Sequence, residues 1–183
     1  QLARVLRSRP GDRIVLFDGS GSEHFVTLEE VSIDQVRGVV DSTSPGAREP
    51  DTVITLYQGV LKTDRFEFVL QKGTELGVSN FVPMLCARSV PRVREGSSGA
   101  GRRSRWQRII TEAAEQSGRS RIPALARPLG FSEACGRAEG LAIMPWELED
   151  ETGLKTALSR WKADGGGPSV SVLVGPEGGF TQE

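Results

Sequence analysis

Val170-Ser171-Val172-Leu173-Val174-Gly175-Pro176-Glu177-Gly178-Gly179-Phe180 is an apolar, β-branched run that breaks abruptly into glycine and proline. Its first half predicts a strand buried on both faces, as in a parallel sheet. In its second half Pro176 fixes its own φ and lacks an amide donor, while Gly178 and Gly179 permit positive φ and close approach of another group to the backbone. Thr181 is a good N-cap, so a helix is expected to begin there. Strand, glycine turn and helix start place the loop at the carboxyl edge of a parallel sheet, where open α/β folds bind ligands. A plain strand-to-helix turn would read the same way, so the surrounding chain has to decide.

Upstream of this stretch, strands and helices alternate. Val53-Ile54-Thr55-Leu56-Tyr57 reads as a strand and residues 64–76 as a helix, with Phe66, Val69, Leu70, Gly73 and Leu76 on one face and Gly77 as its stop. Asp64 with Glu67 three residues later forms a candidate N-cap pair. Residues 80–85 form the next strand, in which Pro83 predicts a bulge or an edge. A helix follows over 105–116, burying Trp106, Ile109, Ile110 and Ala113, and Gly118 ends it. Residues 132–138 and 152–163 are further helices, the second with Leu154, Ala157, Leu158 and Trp161 inward, and residues 141–144 are a buried strand ending near Glu147. This order predicts an α/β domain with helices on both faces of a parallel sheet.

Residues 1–41 differ in character. Arg9-Pro10-Gly11-Asp12 and Asp18-Gly19-Ser20-Gly21 are turns separating short strands at 13–17, 24–31 and 35–40, so a small β module is expected. Residues 42–50, rich in Ser, Pro and Gly, read as a linker. Gly19-x-Gly21 does not have dinucleotide-binding spacing.

Composition narrows the function classes. The chain has 183 residues, 37% hydrophobic and 26% charged, with no apolar run near the roughly 20 residues of a membrane span. Cys86 and Cys135 form no CxxC pair and read as buried reduced thiols of a cytoplasmic protein. His24 is the only histidine, which argues against His-based triads and metal clusters. No Walker lysine or paired metal-binding aspartates appear, which disfavours phosphoryl transfer. The net charge of −1 hides a segregation: residues 88–127 carry ten arginines, no lysine and only Glu95, Glu112 and Glu115, a surplus of +7. Guanidinium forks suit phosphate oxygens, and the glycine-serine run 96–101 among these arginines is expected to be a flexible loop that orders on RNA.

Four stretches, in this order, carry a family resemblance. They are Arg4-Val5-Leu6-Arg7 before Pro10-Gly11-Asp12, then Lys62-Thr63-Asp64-Arg65 with Gln71-Lys72-Gly73-Thr74-Glu75-Leu76-Gly77-Val78, then Arg105-Trp106-Gln107-Arg108-Ile109 through Glu115-Gln116-Ser117-Gly118-Arg119 to Ile122-Pro123, and last Gly175-Pro176-Glu177-Gly178-Gly179. Together they resemble the RsmE family, bacterial 16S ribosomal RNA uridine-N3 methyltransferases. The resemblance implies a PUA-like β-barrel over residues 1–48 and a SPOUT-class domain with a trefoil knot over 49–183. It implies S-adenosylmethionine as methyl donor, no metal, 16S ribosomal RNA of the small subunit as partner, and a homodimer. The family continues past the glycine loop with an LG-x-x-ILR-x-ETA segment that threads the knot and closes the adenine pocket. That segment is not in this sequence, so the chain as written is expected to hold the donor incompletely.

The same resemblance distributes the roles. Val174, Gly175, Pro176, Glu177, Gly178 and Gly179 would wrap the donor, with Glu147 at the neighbouring strand end. Methyl transfer from a sulfonium needs alignment above all, and the uracil N3 proton must leave. Arg119 is the candidate for the substrate phosphate or the developing anion, and Glu75 or Gln116 for the proton or the base. Glu75 sits at a helix carboxyl end, where the dipole disfavours an anion. Arg4, Arg7, Lys62, Arg65, Lys72, Arg105, Arg108 and Arg121 are the candidate RNA contacts. Two other readings of the residues stay open: a non-catalytic RNA-binding module, and a nucleotide-binding α/β protein with phosphate at the glycine loop.

Overall fold

The computed structural model describes residues 2–46, 49–89 and 97–181. It divides into two compact units, Gln1–Glu49 with Gly118–Ile122, and Pro50–Ser117 with Pro123–Glu183.

The first unit opens on a short helical segment, Leu2–Leu6, followed by β1 (Arg13–Phe17), β2 (Ser22–Val31) and β3 (Val36–Pro45). These pair as an antiparallel meander in which Val26 and Leu28 are buried. Positive φ at Gly19 and Gly21 makes the β1–β2 turn. Hydrogen bonds from the Ser20 hydroxyl and amide hold the Asp18 carboxyl down at a pKa of about 2. The expected linker starts later than its composition suggests. Ser42 to Pro45 extend β3, pairing residue by residue with β2 as far as Ser22. Residues 118–122 add to this unit: Gly21 N–H donates to Ser120 O (3.2 Å), and Glu49 receives Arg119.

The second unit begins with β4 (Val53–Gly59), α1 (Thr63–Glu75) and β5 (Asn80–Leu85). It continues through α2 (Ser97–Ser117), β6 (Ala124–Leu125), β7 (Leu129–Gly130) and α3 (Phe131–Gly136), and ends with β8 (Leu141–Ile143), α4 (Leu154–Ala163) and β9 (Ser169–Val174). The sheet runs β6-β5-β4-β9-β8, with β7 also on β5, and every pairing in it is parallel. Successive β5 residues point to opposite faces. Phe81 packs with Phe66 and Leu70 of α1 and Trp106 and Ile110 of α2, while Val82 and Met84 pack with Tyr57, Leu173 and Ala134 of α3. Helices therefore cover both faces. β9 lies between β4 and β8, which is why its sequence is apolar on both sides.

Several expectations need correction. Pro83 sits in an interior strand rather than at an edge. Its neighbours β6 and β7 pair with β5 at Asn80–Phe81 and Met84–Leu85 only, so the ladder is interrupted beside the proline that has no N–H to give. The buried face of α1 ends on Gly73 and Thr74, while Leu76 is 81% exposed beyond the helix end. Ser97 to Gly101 are not a loop but the first turns of α2, and residues 90–96 lie outside the described residues. In α4 no residue is buried, and Leu154, expected inward, is 57% exposed. Cys86 is half-buried, its thiol pushed up by burial, but Cys135 is exposed. Thr181 is not helical, and the helix expected after it falls outside the described residues. No helix among the described residues is long and apolar enough to cross a membrane.

Candidate functional site

The connection leaving β4 runs to β5 through α1, away from β9. Their order leaves the carboxyl ends of β4, β9 and β8 side by side, and the chain emerging from β9 turns there. Gly59, the last residue of β4, lets the loop come against the strand end. A Cβ at that position would stand 2.5 Å from Pro176 N. Beside it Gln58, only 4% exposed, donates through Nε2 to Gly175 O (3.2 Å) and Gly59 O (3.1 Å), satisfying a buried amide and tying the loop to β4. Within the loop Gly179 N–H donates to Pro176 O (2.9 Å) and Gly179 takes φ +67. Gly178, which also permits positive φ, does not take it.

Two further strand ends contribute. After β5, Arg88 donates through one guanidinium nitrogen to Gly178 O (2.8 Å) and Phe180 O (3.3 Å). After β8, the Glu147 carboxylate lies against Gly179, its Oε1 2.9 Å from where a Cβ on that glycine would be. Phe180 anchors the loop's far end, its ring 5.4 Å from that of Phe131.

Glu177 points elsewhere. Its Oε1 accepts from Lys62 N–H (3.4 Å) at the start of α1 and pairs with Arg65 (3.4 Å). Its own amide, the Lys62 amide and the charges of Arg65 and Lys62 hold its pKa below the ordinary glutamate value. An anion at a helix amino end is favourable. This corrects the expected cap: neither Asp64 nor the N-cap residue Lys62 caps α1 with its side chain, and a carboxylate from the far end of the chain comes to that position instead.

The remaining predicted residues are dispersed. Glu75 is paired with Lys72 (2.7 Å) at the end of α1, one turn apart on the same helix. Gln116 lines a groove of about 500 Å³ between α1 and α2 with Asp64, Glu67, Gln71 and Glu112. Arg105 binds Glu67 (2.7 Å), and Arg108 pairs with Glu112 (3.5 Å). In the first unit Arg4 and Arg7 are exposed, Arg4 in the opening helical segment and Arg7 just after it. Arg119, in the same unit, is 5% exposed and donates to Glu49 Oε2 (2.8 Å). Arg121 is exposed, and its backbone N–H donates to Glu49 Oε1 (2.9 Å).

The structure thus brings the loop, Glu147, Lys62 and Arg65 together. It adds Gln58, Gly59 and Arg88, which the sequence reading did not assign to the site. A Gln-Gly pair closing a strand was a signal for the first two. Nothing distinguished Arg88 from its nine fellow arginines. Chemically the arrangement offers a glycine-rich backbone, the carboxylates of Glu147 and Glu177, the cations of Lys62, Arg65 and Arg88, and the Phe180 ring. Among the described residues there is no metal-ligand cluster.

Residues 48–183 match the family described as RNA methyltransferase domain, and residues 2–41 match the RNA methyltransferase PUA domain. The chain is 32% identical over 184 residues to Ribosomal RNA small subunit methyltransferase E of Bacillus subtilis, covering 99% of this chain and 72% of that protein. The chain belongs to the RsmE family. The RsmE-family enzyme of Neisseria gonorrhoeae, solved bound to S-adenosylmethionine, superposes with a TM-score of 0.83 at 31% identity, over 98% of this chain and 71% of that one. A methyltransferase of Legionella pneumophila in complex with the same cofactor gives 0.83 at 30% identity, over 99% and 72%. With these likenesses the fold is that of SPOUT-like methyltransferases, an α/β domain on a parallel sheet, with a PUA-like amino-terminal domain.

Proposed function

We propose that this protein transfers a methyl group from S-adenosylmethionine to N3 of a uridine in the 16S RNA of the small ribosomal subunit. The observation that carries the reading is the loop of residues 175–179, three of its five residues glycine, held at the carboxyl ends of β4, β5 and β8 by Gln58, Arg88 and Glu147. The fit to the donor is supported by the cradle itself: a Cβ on Gly175 would crowd Gly179 C at 3.2 Å and one on Gly179 would press on Glu147 Oε1 at 2.9 Å, and Glu147 stands there as an acceptor for donor hydroxyl or amino groups. Residues 174–179 and Glu147 would hold the donor, which supplies an electrophilic methyl carbon when bound.

The chain's own groups then have three tasks. Backbone groups of the loop align the donor, and alignment is most of what an in-line displacement requires. The uracil N3 proton must be accepted or relayed, for which Glu75 and Gln116 are the candidates. Glu75 would have to exchange its Lys72 partner, 2.7 Å away, for the substrate. Arg119 can stabilise the developing anion only by exchanging Glu49 for the substrate. Exposed Arg4, Arg7, Arg108 and Arg121, with Lys62, Arg65, Lys72 and Arg105, supply cations for the RNA backbone, whose phosphates dominate affinity. A homodimer belongs to the same reading, supported by the apolar residues α4 leaves exposed and checked by light scattering. So does a cytoplasmic location, where ribosomal RNA is found.

The test is methylation of unmodified small-subunit RNA by the full-length protein, with the product nucleoside identified by mass spectrometry. N3-methyluridine appearing only with S-adenosylmethionine is the expected result. A methyl group on another atom, or none, would overturn the reading.

A further inference from the structure

The Arg88 guanidinium, which follows β5, hydrogen-bonds to the main chain of the loop from another strand end. It donates to two carbonyls on either side of Gly179, Gly178 O at 2.8 Å and Phe180 O at 3.3 Å. The contact is close along the whole side chain: a Cβ on Gly178 would lie 3.2 Å from Arg88 Cβ and 3.3 Å from its Cδ. Between those two carbonyls Gly179 carries the only positive φ of residues 175–180, the conformation most in need of support. On the opposite flank Glu177 is fastened to Lys62 N–H and Arg65, and Gly175 to Gln58. The loop is therefore strung between latches, and among the described residues Arg88 is the side chain that donates to its outer half, residues 178–180.

We propose that Arg88 is a positioning residue for methyl transfer: it locks the outer half of the glycine loop into its donor-binding shape before the donor arrives. The role rests on the methyltransferase reading for its purpose, though not for its physics. A guanidinium suits the task because it is charged at every working pH and presents several N–H donors in a fixed plane, so one group can hold two carbonyls. Pre-organising the loop spares the donor the cost of ordering it. The effect belongs in donor binding rather than in the affinity for RNA. Were Arg88 a phosphate contact instead, it would act on RNA affinity and its salt dependence.

Arg88→Ala and Arg88→Lys are compared with wild type. Arg88 is exposed in a loop after β5, so both variants are expected to fold, with circular dichroism as control. The first readout needs no donor: amide exchange at Gly179, whose N–H donates to Pro176 O. Exchange should quicken several-fold in Arg88→Ala and recover partly in Arg88→Lys, which retains a single-point donor. The second is S-adenosylmethionine affinity by calorimetry. The dissociation constant should rise about tenfold in Arg88→Ala, as for loss of a charge-assisted hydrogen bond, with KM for the donor raised more than kcat is lowered. Wild-type exchange at Gly179 in Arg88→Ala would overturn the proposal. So would faster exchange with unchanged donor affinity, or a loss confined to RNA binding with a flatter salt slope. A wild-type protein with no affinity for S-adenosylmethionine would sink the functional reading instead, while the exchange data would still judge the latch.

Discussion

Gly59→Ala probes how closely β4 and the loop must approach. The added Cβ would stand 2.5 Å from Pro176 N and 2.8 Å from both Gly175 C and Pro176 Cδ. Comfortable contacts of this kind are about 3.5 Å or longer. Strand end and loop must therefore part by roughly 1 Å, and neither obstacle is a flexible side-chain tip. Overpacking of this sort costs about 1–3 kcal/mol, offset by about 0.4–1 kcal/mol because alanine restricts the unfolded chain. A net loss of about 1–2 kcal/mol corresponds to a fall in Tm of roughly 2–8 °C for a chain of this size. Donor affinity should suffer more, about tenfold or beyond, because the same displacement pulls Gly175 O off Gln58 and misaligns the loop. The matched control is Gly153→Ala, at the start of α4. Its Cβ meets nothing within 4 Å, and its φ of −68° suits any residue. It should leave Tm nearly unchanged and donor affinity within about threefold. Melting curves and calorimetry on both variants decide the matter. Wild-type affinity in Gly59→Ala, or equal damage from Gly153→Ala, would show that the packing of loop against strand end does not govern donor binding.

Other outcomes follow from the charged pairs. Arg119→Ala should destabilise the protein by about 3–5 kcal/mol in urea titration, because it strands the Glu49 carboxylate in a largely buried place; a stable variant that only loses activity would put Arg119 at the substrate instead. Burial opposes ionisation of Glu49, but the Arg119 hydrogen bond and the Arg121 amide outweigh it and its pKa lies below the usual 4.5. A depressed folded-state pKa gives stability that is present above about 4.5 and lost as pH falls through the lower folded value, and Glu49→Gln should flatten that acid limb in melts across pH. Glu177→Gln should keep donor affinity within a few-fold, since the carboxylate faces Lys62 and Arg65; a loss of a hundredfold in calorimetry would mean that its charge reads the donor. Arg108→Ala and Arg121→Ala should each lower the salt slope of RNA binding by about one unit, measured by filter binding from low to moderate salt; an unchanged slope would make these arginines ordinary solvated surface.

What the sequence made legible was what local chemistry determines. An apolar β-branched run ending in glycine and proline marks a buried parallel strand and its turn wherever it occurs, and β9 with its loop lies where that pattern puts it. Gly77 and Gly118 end α1 and α2 for equally local reasons, both with positive φ. The site's residues divided along the same line. Glu147 follows β8 directly, and β8 pairs with β9, so its place beside Gly179 could be inferred from strand order alone.

What could not be read depended on partners distant in sequence. Arg119 read as a candidate for the substrate phosphate or the developing anion, and its burial against Glu49 went unseen because that partner is 70 residues away. An arginine is rarely buried unless paired, and no spacing rule announces such a pair. Glu177 read as part of a donor turn, yet 115 residues separate it from the Lys62 amide that it meets. The same distance hid the capping of α1. Asp64 and Glu67 satisfied the local pattern for a cap pair, but the helix start had a carboxylate supplied from the loop after β9. That substitution ties the organising loop to the amino end of α1, so a helix-capping interaction serves at once to hold the helix and to fix one flank of the loop. A local cap at Asp64 would have left the loop free on that side. The sequence pattern alone could not distinguish the two, because both put a carboxylate at the helix amino end and only their connectivity differs.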